Sequence, residues 1–178
     1  AYGVQGIYSA PGTAVKEAYD ASGIVTNDRG ITVWLKGSRV SRNQIMAIKE
    51  EGVTEQKNSL AVCLDNILRH AGITRNTEYD LAQGKTAITI LSENMTGVQV
   101  LDLSGCSLDA VLYYVNQDIP VLAILEGGEA VLVTGFNEFN VVIMEPSTGR
   151  LYKKGMNDAT TWFAENGNHF ITYMNTEN

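Results

Sequence analysis

The stretch from Ile119 to Pro146 limits what this chain can fold into more than any other. It reads Ile-Pro-Val-Leu-Ala-Ile-Leu, then Glu126-Gly127-Gly128-Glu129, then Ala-Val-Leu-Val-Thr-Gly-Phe. After Asn137-Glu138-Phe139-Asn140 it closes with Val-Val-Ile-Met-Glu145-Pro146. Three apolar runs of strand length are thus separated by two turn signals, and each is too short for a globular helix. Near-continuous apolar runs are expected of strands covered on both faces, so the stretch predicts the centre of a buried antiparallel sheet. Glu129 then stands at the start of the second strand and Glu145 at the end of the third. A turn at 137–140 brings those two ends side by side. Strand ends meet water and often carry charge. A pair of carboxylates there also suits acid–base chemistry, or a ligand or cation that relieves their repulsion.

The chain has 178 residues, which suits one domain with a small appendage. Its 13 basic and 20 acidic residues give a net charge of −7, which argues against nucleic acid and anionic membrane surfaces as partners. No apolar run approaches the roughly 20 residues of a membrane span, and Ala1-Tyr2-Gly3 reads as the start of a strand rather than a signal peptide. Cys63 and Cys106 have neither metal spacing nor a Cys-x-x-Cys pattern; they read as small buried apolar residues, the other readings being a disulfide or a reactive thiol. With only His70 and His169, a histidine-based metal site is not expected, and nothing calls for a cofactor.

Taken in order, Tyr2 to Ser9 reads as a strand, and Ala10-Pro11-Gly12-Thr13 starts a helix with Thr13 as a possible cap. A hairpin follows over 24–35 around Asn27-Asp28-Arg29-Gly30. Residues 1–45 therefore form a β-α-β-β appendage, expected to pack on a main domain over 46–178. Gly37 to Asn43 reads as a linker, and Gln44 to Glu51 fits a strand or a short helix equally. Leu60, Cys63, Leu64, Ile67 and Leu68 repeat at three and four and mark the clearest helix, 58–70, with Asn58 or Ser59 as cap and Gly72 as stop. Shorter helices are expected over 76–81, 85–95, 107–115 and 158–166, and further strands over 98–103, 151–153 and 169–174. Helices first and antiparallel strands after indicate α+β. Trp34, Tyr113, Tyr114 and Trp162 read as core or groove walls, and Arg150, Lys153 and Lys154 as a solvated strand face.

This order resembles the papain-like fold in its short bacterial version, the bacteriocin-processing (double-glycine) peptidases. Members open a helix with a Cys-Gly-Pro-Ala-like start and end it in Leu-Arg-x-x-Gly; here it runs from Ser59-Leu60-Ala61-Val62 to Leu68-Arg69-His70-Ala71-Gly72. Their Pro-Val strand, Gly-Gly-His strand start, Gly-Tyr-Asp-like turn and Asp-Pro strand end are matched by Pro120-Val121, Gly127-Gly128-Glu129, Gly135-Phe136-Asn137 and Glu145-Pro146. The resemblance covers roughly residues 53–174. It implies N-terminal helices packed on a central antiparallel sheet, and a cleft that takes an extended peptide. It puts Ser59 at the nucleophile position, Glu129 at the base, Glu145 at the orienting acid and Gln56, closer than the pattern expects, at the oxyanion position.

All three triad residue types are changed. A cysteine nucleophile works because a neighbouring imidazole and a helix N-terminus lower its pKa, whereas a serine needs a base at the moment of attack. A carboxylate, with a reference pKa of about 4.3, is poorly matched to that work at neutral pH unless its surroundings raise it. The first expectation is therefore a catalytically inactive peptidase domain, a binding or scaffold module of a larger secreted or surface protein of a bacterium. The alternatives are a serine-dependent hydrolase using a Ser-Glu-Glu site in acid, as serine-carboxyl peptidases do on another fold, and an accessory module that binds an extended peptide by strand addition. His70, about three turns along the helix from Ser59, does not suit the missing base. His169 reads as structural, and Cys63 packs inward by periodicity. The oligomeric state is not legible.

Overall fold

A computed structural model of the protein describes residues 4–36 and 58–177. The chain is α+β. Its elements in order are α1 (Pro11–Ala21), β1 (Ile24–Thr26), β2 (Thr32–Leu35), α2 (Ser59–His70), α3 (Thr77–Ala82), α4 (Ala87–Asn94), β3 (Val98–Asp102), α5 (Leu108–Asn116), β4 (Val121–Ile124), β5 (Ala130–Phe136), β6 (Asn140–Glu145), β7 (Arg150–Gly155), α6 (Met156–Glu165) and β8 (His169–Asn175). The six strands β3 to β8 form one antiparallel sheet in the order β3-β8-β4-β5-β6-β7, and β1 and β2 form a separate hairpin. The three apolar runs are β4, β5 and β6, contiguous and central. Every residue of β5 is buried, which requires cover on both faces of the sheet. Helices α2 and α5 both pack on β4 and β5 and supply it.

Helix α2 forms where its apolar spacing predicts. The Asn58 side chain accepts from the Leu60 amide at 2.9 Å, so Asn58 and not Ser59 is the cap. At the other end Gly72 takes φ +85° and the Ile73 amide reaches back to the Leu68 carbonyl at 2.8 Å, the left-handed stop that glycine permits. Leu64, Ile67 and Leu68 are 0–1% exposed, each contributing about 1.5–3 kcal/mol of burial.

The N-terminal unit departs from the expected β-α-β-β. Residues 4–9 form no strand. Val4 and Ile7 are 83% and 93% exposed, and an apolar alternation without a neighbouring strand has no ladder to join. The unit is therefore α-β-β among the described residues. Thr13 does not cap α1; Ala10 precedes the helix with no side-chain bond, and Pro11 starts it with a φ already set for a helix. The unit shares the main core. Trp34, 2% exposed, donates from Nε1 to the Ala110 carbonyl at 3.0 Å, and Tyr114 donates to the Val33 carbonyl at 2.7 Å. Val15, Val33 and Trp34 join one hydrophobic cluster with α2, α5 and the sheet. Gly12 lets α1 approach the end of β3, since a Cβ there would lie 3.0 Å from the Asp102 carbonyl oxygen. The linker expected over 37–43, the element at 44–51 and the boundary at 45/46 lie outside the described residues. No helix among those described is long and apolar enough to cross a membrane.

Later elements follow the predicted order with shifted ends. Helix α6 starts at Met156, two residues early, because β7 runs to Gly155 and the chain turns directly into the helix. Helix α4 starts at Ala87, where the Thr86 hydroxyl caps the Thr89 amide at 3.2 Å.

Candidate functional site

The N-terminus of α2, the start of β5 and the end of β6 meet at one end of the sheet. Because Asn58 already caps the helix, the Ser59 hydroxyl is left for another partner. The β5–β6 ladder ends at the Leu132–Met144 pair, so the Ala130 amide lies beyond it. Ser59 Oγ accepts from that amide at 2.9 Å. The bond joins the first residue of α2 to the residue that follows Glu129. Gly127 and Gly128, both at positive φ, bend the chain there, and the Leu125 amide closes the turn on the Glu129 carbonyl at 2.7 Å.

The two carboxylates behave differently. Glu129 is exposed, and its side chain makes no hydrogen bond or ion pair among the described residues. Glu145 is half-buried. Its carboxylate accepts from the Ser147 amide at 3.0 Å and the Ser147 hydroxyl at 2.7 Å, which fixes the turn between β6 and β7. Its charge reaches Cys63, one helical turn beyond Ser59. Burial pushes the Cys63 thiol far above its ordinary pKa and the negative charge of Glu145 adds to the rise, so Cys63 carries no thiolate. Burial, with Glu145 again adding, also raises the Tyr152 hydroxyl. The structure thus gathers Ser59, Glu129 and Glu145 at one end of the sheet, but no hydrogen bond joins Ser59 to either carboxylate.

No family model, curated protein or solved structure matches the chain.

The remaining candidates fall elsewhere. Gln56 lies outside the described residues. Cys106 is buried, donates to the Gly12 carbonyl at 3.3 Å and has its thiol pushed up to about 11, mainly by burial. Both cysteines are free. His70 ends α2, with Nε2 2.9 Å from the Asp118 carbonyl oxygen, and plays no part at Ser59. His169 is nearer than the sequence indicates. It pairs with Ile124, which pairs with Ala130, so its backbone is two strands from Ala130, about 10 Å. Only the non-sequential insertion of β8 beside β4 brings it there. Its ring makes no hydrogen bond or ion pair among the described residues. No group of three or more His, Cys, Asp or Glu among them is arranged to hold a metal ion. Trp34 and Tyr114 are core residues, while Trp162 lies half-buried under the Lys154 ammonium, 4.8 Å from the ring centroid.

Chemically, the site is one of backbone anchoring. A serine about to attack donates its proton toward a base. Here the hydroxyl accepts from a backbone amide and donates to neither carboxylate, Glu129 is unengaged among the described residues, and Glu145 is committed to a turn.

Proposed function

We propose that this chain is a non-catalytic domain on the papain-like plan, a binding or scaffold module of a larger secreted or surface protein of a bacterium. The observation that carries the reading is the Ser59–Ala130 bond, which uses the hydroxyl at the nucleophile position to hold helix to strand. Support also comes from the element order, a helix on an antiparallel sheet with the three triad-equivalent positions at one end. The inert state of Cys63, the nearest thiol along the helix, supports it further. The ligand that such a plan accommodates is an extended peptide along the cleft. The acid-active Ser-Glu-Glu alternative has less support, because Glu145 is bonded to Ser147 and Glu129 has no partner among the described residues.

The test is hydrolysis of fluorogenic peptides and acyl esters from acid to neutral pH by the wild type, Ser59→Ala and Glu129→Gln. All three proteins are expected to remain at background. Turnover that rises in acid and disappears in both variants, with the fold intact, overturns the reading in favour of a serine hydrolase.

A further inference from the structure

We draw no further inference here: the strongest candidate, the uncharged outer edge of β3 at Val98 and Val100, which pairs with no second strand among the described residues, carries nothing because nothing in the structure shows what covers it.

Discussion

Ser59→Ala separates anchoring from catalysis. The substitution removes the one hydrogen-bond acceptor for the Ala130 amide among the described residues, and Ala130 is 1% exposed. A buried amide left without a partner costs about 1–3 kcal/mol. For a chain of this length each kcal/mol moves Tm by roughly 2–4 °C, so a fall of several degrees is expected by circular dichroism, with a matching shift of the urea midpoint at unchanged m-value. Asn58→Ala is the internal reference. It removes an exposed cap on the Leu60 amide, worth about 1 kcal/mol, and is expected to cost no more than Ser59→Ala. Ser59→Thr keeps a hydroxyl at the same position and should recover most of the loss. If Ser59→Ala stays within about 0.5 kcal/mol of the wild type, the range of an ordinary surface substitution, the hydroxyl is not holding the strand and the anchoring argument fails.

Other substitutions probe the rest of the reasoning. The native chain should leave a disulfide-exchange reagent unreacted at neutral pH until it is unfolded, because both thiols are buried and their pKa values are raised; rapid labelling of the folded chain would contradict this. Arg75 grips Asp80 at 3.0 and 2.9 Å and holds its carboxyl below the usual carboxylate range. A carboxyl lowered in the folded state stabilises the fold above its unfolded pKa of about 3.9 and loses that effect as pH falls through the folded value. Arg75→Met should therefore be less stable than the wild type at neutral pH, with the gap closing below about pH 4; a gap that is constant into strong acid would refute this. With the native thiols silent, a thiol installed by Ser59→Cys can be titrated by its alkylation rate. Adding Glu129→His should lower its apparent pKa by one unit or more from about 8.5, whereas no change would mean that the two side chains do not meet.

The sheet was legible because its strands are β-branched runs bounded by turn signals, and α2 because Leu60, Leu64, Ile67 and Leu68 repeat with the helical period. Residues 4–9 carry a similar apolar signal and form no strand, since a strand is a property of a pair and the sequence cannot supply the partner. The position of β8 between β3 and β4 was not legible for the same reason. That insertion brings His169 towards Ala130 and puts Tyr173 and Asn175 at the same end of the sheet as the ends of α2 and α5. A recess of about 500 Å³ beyond the C-terminal end of α2 was not legible either, because it is lined by residues that follow helices, where Ala71, Thr96 and Asp118 carry no common pattern.

The three positions singled out by resemblance differ in a way that residue types alone do not show. Ser59 bonds to a backbone amide 71 residues away, and Glu145 holds the amide and hydroxyl two residues ahead of it. Both would leave the backbone short of a partner if replaced by apolar residues. Glu129 is exposed and holds nothing among the described residues. A working nucleophile and base show the opposite distribution, with side chains spent on each other and the backbone satisfied independently. Among the described residues Ser59 and Glu145 are engaged with the backbone and Glu129 is not, which is the distribution that the proposed non-catalytic reading expects.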